Sequence, residues 1–273
     1  MFTSPYGPIA HLSTPPGDAV ALLVPGYTGS KEDFTPLLDG FAAAGFQAIA
    51  IDLPGQYESP GPDDEAAYSP RALGTIVASV IAGFDQPVFL LGHSYGGLVA
   101  RGAVLAGAKV AGLTLMDTGP GPLTSLPRLE ALELGESQLR ANDVEGAYAI
   151  RDRVQSRFPG WVALDDELKA FYRKRFLATN PACLLGMGHW LRTEPDLVDE
   201  LTLALGKTPS VVITGEHDDA WSVAEQQEMA RRLNVPFLKV AGAAHSPNTE
   251  NPAELLAQLI PLWRTWLKLG QKS

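Results

Sequence analysis

A single cysteine, Cys183, rules out an intrachain disulfide and fits a reducing compartment. Its neighbours, Asn180-Pro181-Ala182 and Leu184, make it read as a small buried hydrophobe. Basic side chains are also scarce: 21 Lys and Arg stand against 31 Asp and Glu, a formal net charge of -10. Such a surface repels phosphate backbones and anionic headgroups, so nucleic acid is not an expected partner. No apolar run reaches the ~18 residues of a membrane-spanning helix. The opening MFTSPYGPIAHLS has neither the basic nor the apolar segment of a signal peptide. A cytoplasmic protein is the expectation. No His or carboxylate spacing suggests a metal site, and no G-x-G-x-x-G or P-loop follows a strand, so neither metal nor cofactor is expected. The expected partner is a small-molecule substrate, and the oligomeric state has no signature.

What is present is a chain with 45 % hydrophobic and 19 % charged residues, ample for a core. Short apolar runs alternate with amphipathic ones. Ala19 to Val24, Phe46 to Ile51, Pro87 to Leu91 and Val110 to Met116 read as strands. Phe34 to Ala44, Pro70 to Phe84 and Tyr95 to Ala106 read as helices, with Ser69 placed to cap the second and Pro70 in its first turn. This alternation predicts a mostly parallel sheet with helices on both faces. From about Gly119 to Lys207 no good strand is found; helical stretches are broken by Pro127, Pro159, Pro181 and Pro195. Alternation returns with strands at Ser210 to Thr214 and Pro236 to Val240, a helix near Val223 to Leu233 and a terminal helix from about Pro252 to Leu269. The expected organisation is an α/β core over 1–119 and 208–273, with a helical cap over 120–207. An insertion of that length far exceeds the ~4–6 residues of an ordinary connection. One strand, near Gly7 to Ser13, is expected before the first long one.

The chemistry starts at Leu90-Leu91-Gly92-His93-Ser94-Tyr95-Gly96-Gly97, a G-x-S-x-G pattern between a strand and a helix. A sharp turn there lifts the Ser94 hydroxyl clear of the sheet and aims the helix N-terminus at a reacting carbonyl. An oxyanion needs two N–H donors, one after the nucleophile and one from an earlier loop. Tyr95 and Tyr27, the latter in Pro25-Gly26-Tyr27-Thr28-Gly29, are the candidates. His245 follows the last strand among small residues, and Asp218 follows the strand before it. Ser, Asp, His is the chain order this arrangement requires. Asp117 and Asp219 are competing carboxylates; Asp117 reads as a turn or cap anchor, and Asp219 should point elsewhere. His93 reads as the variable position of the elbow, His11 as an edge-strand residue, and His217 and His189 as loop, packed or surface residues.

At these residues the chain resembles the α/β-hydrolase family over 19–119 and 208–269, with the helical segment where the family carries its cap. The resemblance implies an α/β-hydrolase fold with Ser94 as nucleophile, His245 as base, Asp218 as the acid and the Tyr27 and Tyr95 amides as oxyanion donors. It departs from the family at two loops. Pro25-Gly26 stands where His-Gly is common, and Asp52-Leu53-Pro54-Gly55-Gln56-Tyr57 stands where Asp-x-x-Gly-His-Gly is common. The implied reaction is hydrolysis of an ester-like bond in a small, largely apolar substrate through an acyl-enzyme. C–C bond hydrolysis, thioester hydrolysis or acyl transfer on the same triad, and a non-catalytic small-molecule receptor, are the alternatives.

Overall fold

The computed structural model describes residues 2–157 and 159–270. Met1 and residues 271–273, at the outer ends of the two expected core segments, lie outside it. A seven-stranded sheet organises the chain. Its strands are β3 (His11–Ser13), β4 (Ala19–Val24), β5 (Phe46–Ile51), β6 (Val88–His93), β7 (Gly112–Met116), β8 (Ser210–Gly215) and β9 (Phe237–Val240), in the order β3-β5-β4-β6-β7-β8-β9. Only β3 runs antiparallel, along the outer edge of β5; every other pairing is parallel. The expected lone N-terminal strand is three short ones: β1 (Phe2–Ser4) and β2 (Gly7–Ile9) pair as a hairpin, and β3 follows it. Pro5-Tyr6 form the turn between β1 and β2, Ala10 separates β2 from β3, and Gly7, the first residue of β2, takes a positive φ of 130° that suits a glycine.

The helices divide between the two faces as the strand periodicity requires. Val20, Leu22 and Val24 of β4 point to a cluster with helix residues Leu73, Val77, Leu98 and Val99. Ala19, Ala21 and Leu23 point the other way, to Phe34, Phe41 and Trp263. The first face carries α2 (Pro70–Ile81) and α3 (Tyr95–Leu105); the second carries α1 (Thr35–Ala43) and the terminal helix Pro252–Gly270. The Ser69 hydroxyl caps α2 by accepting from the Ala72 amide at 3.1 Å, with Pro70 at the first position. Strands β4, β6, β7 and β8 are buried throughout, which is why they read as continuous apolar runs.

Between β7 and β8 the described residues form six helices and no strand: α4 (Leu126–Arg140), α5 (Val144–Gln155), α6 (Pro159–Val162), α7 (Asp166–Ala178), α8 (Pro181–Thr193) and α9 (Val198–Leu205). The prolines mark boundaries: Pro127 and Pro181 lie in first turns, and Pro195 separates α8 from α9. Both ends of this segment are tied to α3. Arg101, buried to 3 % exposure, donates to the Pro120 carbonyl at 2.5 Å, to Glu194 Oε1 at 2.6 Å and to the Pro195 carbonyl at 3.3 Å.

Candidate active site

The elbow is built by close approach. Ser94 sits at φ 55°, ψ −121°, between the end of β6 and the first turn of α3. Positive φ in a non-glycine residue is strained, and the strain is held by surrounding structure. A Cβ at Gly92 would strike the Gly96 carbonyl, and one at Gly96 would strike the carbonyls of Val24 and Pro25. The two motif glycines are therefore steric necessities. Gly26 has a similar reason: a Cβ there would stand 3.0 Å from Ser94 Cβ and 3.4 Å from Ser94 Oγ. The loop after β4 thus lies directly against the serine.

His245 and Asp218 converge on Ser94 from two other strand ends. His245 Nε2 lies 3.0 Å from Ser94 Oγ, and His245 Nδ1 lies 2.7 Å from Asp218 Oδ1. A carboxylate only accepts, so Nδ1 carries the proton and Nε2 keeps its lone pair for the serine hydroxyl. Burial works against ionising Asp218. The facing His245, its hydrogen bond and the Ala220 amide outweigh burial and hold the carboxyl below its ordinary range. The second carboxylate oxygen accepts from Gln226 Nε2 at 2.6 Å. Gln226 is fully buried on α10 (Val223–Leu233) and also donates to the Trp221 carbonyl at 3.0 Å.

The competing carboxylates are engaged elsewhere. Asp219 forms a two-point pair with Arg128 of α4, at 2.6 and 3.0 Å. Asp117, at φ 47°, accepts from the Gly215 amide at 2.8 Å and from Thr214 Oγ1 at 3.3 Å, tying the end of β7 to the end of β8. Burial first, then the neighbouring Asp218 charge, pushes its carboxyl well above the carboxylate range. Asp117, Asp218 and His245 offer three ligand atoms within 4.8 Å of one another. Hydrogen bonds already engage both nitrogens of His245 and both oxygens of Asp218.

His93, the variable position of the elbow, ends β6 and has a partner of its own. Its Nε2 donates to the His245 carbonyl at 2.7 Å, and its ring centroid lies 5.2 Å from that of His245. It therefore braces the loop that carries His245. Burial and the adjacent His245 push it down to about 4, so it stays neutral. The remaining histidines sit as expected: His11 is in the edge strand, and His217 and His189 are exposed.

Tyr27 and Tyr95 flank the serine. As the first residue of α3, Tyr95 has an amide outside the helix's own ladder. The Tyr27 amide has no acceptor among the described residues. Their phenols are used for packing: Tyr95 Oη donates to the Tyr68 carbonyl at 2.5 Å, and Tyr27 Oη to the Leu184 carbonyl of α8 at 3.0 Å. Gln56 joins the Tyr27 loop from a neighbouring strand end, donating to the carbonyls of Gly26 at 2.7 Å and Tyr27 at 3.3 Å. Neither Gln56 nor Gln226 carried a sequence signal for a role at the site: Gln56 acts through partners about thirty positions away, and Gln226 reaches Asp218, eight positions away, only because α10 folds back on the loop after β8. The two departures at Pro25 and Gln56 were the nearest hint.

Seven mostly parallel strands, a strained serine after a central strand, and a His–Asp pair from later strand ends define the α/β-hydrolase class. The sequence pattern of the Alpha/beta hydrolase family matches residues 21–259, and the chain belongs to that family. Protein ABHD8 of Bos taurus and of Mus musculus are each 25% identical over 229 residues, 82% of this chain. The chain spans about half the length, 50%, of these curated relatives. A Thermogutta terrifontis esterase superposes with a TM-score of 0.77 at 24% identity, covering 94% of this chain and 93% of its own. The enol-lactonase of Burkholderia xenovorans LB400 gives 0.77 at 19% identity, covering 94% and 96%. At such identities the structural likeness speaks for the fold. No helix among the described residues is long and apolar enough to cross a membrane.

Proposed function

We infer that the protein is a serine hydrolase that cleaves an ester-like bond of a small, largely apolar substrate through an acyl-enzyme. The observation that carries this reading is the relay from Asp218 Oδ1 to His245 at 2.7 Å and on to Ser94 Oγ at 3.0 Å. His245 Nε2 takes the Ser94 proton as Oγ attacks the carbonyl carbon. The oxyanion is held by the amides of Tyr27 and Tyr95. The protonated imidazole then gives its proton to the leaving oxygen, and the acyl group remains on Ser94. A water deprotonated by His245 releases the acid and restores the serine. Asp218 fixes the tautomer and stabilises the imidazolium. Residues 120–207 act as a cap. Support comes from α8, whose Leu184 carbonyl accepts from Tyr27, and from α4, whose Arg128 pairs with Asp219 beside the acid.

The test is a panel of aryl esters of rising acyl length, with thioesters and lactones alongside, run on the wild type and on Ser94→Ala. The expected outcome is hydrolysis by the wild type and a loss of roughly 10⁴-fold or more in the variant, with the fold intact. A fluorophosphonate should label Ser94 alone. Labelling of another serine, or full activity in Ser94→Ala, would sink the assignment.

A further inference from the structure

The loop that carries Tyr27 is held by a side chain from a different strand end, and the geometry has a consequence for the Tyr27 amide. Gln56 is fully buried. Its Nε2 donates to the Gly26 carbonyl at 2.7 Å and the Tyr27 carbonyl at 3.3 Å, while its Oε1 accepts from the Leu53 amide at 3.1 Å. The orientation of the amide follows from the chemistry. Backbone carbonyls only accept and a backbone N–H only donates, so nitrogen must face Gly26 and oxygen must face Leu53. A second tie clasps the same pair of loops: the Lys31 amide donates to Asp52 Oδ1 at 2.7 Å. Asp52 and Gln56 thus hold the segment after β4 at both of its ends.

In a trans peptide the C=O of one residue and the N–H of the next point in opposite directions, and no cis peptide occurs among the described residues. The Gly26 carbonyl is fixed on the Gln56 side, where it also accepts from the Gly29 amide at 3.1 Å. The Tyr27 N–H is therefore turned away from Gln56, and it stays free of acceptors. Gly26 itself rests against Ser94. We propose that Gln56 is a positioning residue for the reaction: by gripping the Gly26 and Tyr27 carbonyls it aims the Tyr27 amide at the oxyanion formed on Ser94. This rests on the reading of Ser94 as nucleophile and the Tyr27 amide as an oxyanion donor. It also accounts for the pairing of the two unusual loops. Pro25 brings no side-chain donor to the loop, and Gln56 supplies one from across the sheet end.

The experiment compares Gln56→Met, which keeps volume and removes all three hydrogen bonds, with Gln56→Glu, which keeps the acceptor for Leu53 and sets a titrating group against the two carbonyls. The readouts are the rate of Ser94 labelling by a fluorophosphonate, kcat and KM on an aryl ester, and Tm. Removing an oxyanion donor outright costs about 10²–10³-fold, so misaiming one in Gln56→Met should cost roughly 10- to 100-fold in labelling rate and in kcat, with KM little changed. Gln56→Glu repels the carbonyls when ionised and regains one O–H donor when protonated. Its labelling rate relative to the wild type at the same pH should therefore rise as pH falls, which a merely structural role would not produce. If Gln56→Met does not fold, the pH ratio of Gln56→Glu decides. Labelling in Gln56→Met within about 2-fold of the wild type, a loss confined to KM, or a pH-independent ratio for Gln56→Glu overturns the proposal while Ser94 still labels. If Ser94→Ala labels like the wild type, the serine reading fails, and the Gln56 proposal fails with it.

Discussion

Strands β4, β6, β7 and β8 bury every residue they contain, while α4 and α7 of the helical insertion bury between them only Leu139, Arg175 and Phe176. The sheet and these two helices are held by different forces. Around the sheet, Trp263 stacks on Phe41 at 4.9 Å and Phe89 at 5.3 Å, and its Nε1 donates to Thr114 Oγ1 at 3.0 Å. Helices α8 and α9 of the insertion join the apolar core through Cys183, Met187, Leu191, Val198, Leu201 and Leu205, whereas α4 and α7 reach the core with arginines: Arg128 on Asp219, Arg140 on Glu65 and Arg175 on Asp33. Inside the insertion, Arg151 lies over Trp161 at 4.9 Å, Trp161 stacks with Tyr172 at 5.6 Å, and Arg175 lies over Tyr172 at 4.4 Å. Apolar burial is non-directional and adds up with area. Ion pairs and cation–π contacts add little each when exposed, but they fix direction. The outcome is a buried sheet carrying the candidate triad at its edge, beneath an insertion whose helices α4 and α7 are docked by polar contacts.

The comparison is broken most severely at the triad, which sits on the rigid side. Asp218→Asn should lower kcat by roughly 10⁴-fold, because the amide stabilises the wrong imidazole tautomer. Asp117→Asn keeps an acceptor for the Gly215 amide and should cost far less in kcat. Its stability effect has a definite sign. Folded Asp117 titrates well above its unfolded value, so as pH rises through the unfolded value the unfolded chain sheds a proton that the folded chain keeps. Wild type then loses stability relative to Asp117→Asn between the unfolded and folded values. Melts across pH for both variants, with steady-state kinetics, check the pair. A larger kcat loss at Asp117 would move the acid to β7.

Stability should next compare one anchor from each region. Trp263→Ala opens a cavity in a stacked core and should cost about 3–5 kcal/mol. Arg101→Met leaves Glu194 buried without its partner and should cost about 3–5 kcal/mol as well, because this ion pair at the roots of the insertion is deeply buried on both sides. Denaturant melts of both variants give the comparison. If Arg101→Met is neutral, the insertion does not depend on its anchor to α3.

Acid should act on the rigid side. His93 is pushed down to about 4 in the folded protein and has a value near ~6.5 in an unfolded chain. Between those values the unfolded chain binds a proton that the folded chain excludes. Stability should therefore fall as pH drops through that window, by on the order of 3 kcal/mol from this group. His93→Gln keeps a donor for the His245 carbonyl without titrating, and should flatten the acid side of a Tm-against-pH curve. The smallest expected effect lies in the insertion. Raising salt to ~1 M shortens the screening length to ~3 Å and should speed limited proteolysis within residues 126–178 by a few-fold, with Tm nearly unchanged. An equal Tm shift would mean that the two regions unfold as one.

Much of this was legible because its causes are local. Gly92 and Gly96 mark a turn in which no side chain fits, and the apolar runs at β4, β6 and β8 admit no alternative to buried strands. Ser69-Pro70 announces a helix start by itself. Boundaries slipped where neighbours decide. Val110 and Ala111 are apolar yet precede β7, because pairing with β6 begins at Phe89 opposite Gly112. The N-terminal run became three strands because a hairpin formed before the sheet edge was reached.

The sequence by itself determined the alternation that makes a parallel sheet, the strained serine turn, and the order in which Ser94, Asp218 and His245 arrive, since each depends on residue types at short spacing. Only the tertiary structure decided which carboxylate faces His245, because Asp117, Asp218 and Asp219 all follow strand ends. Asp117 turned to the Gly215 amide and Asp219 to Arg128, leaving Asp218 for the imidazole. Only the tertiary structure gave His93, Gln226 and Gln56 their partners. A hydrogen bond demands a partner within about 3 Å and is indifferent to how far along the chain that partner lies: His93 meets His245 across 152 positions, and Gln56 meets Gly26 across 30.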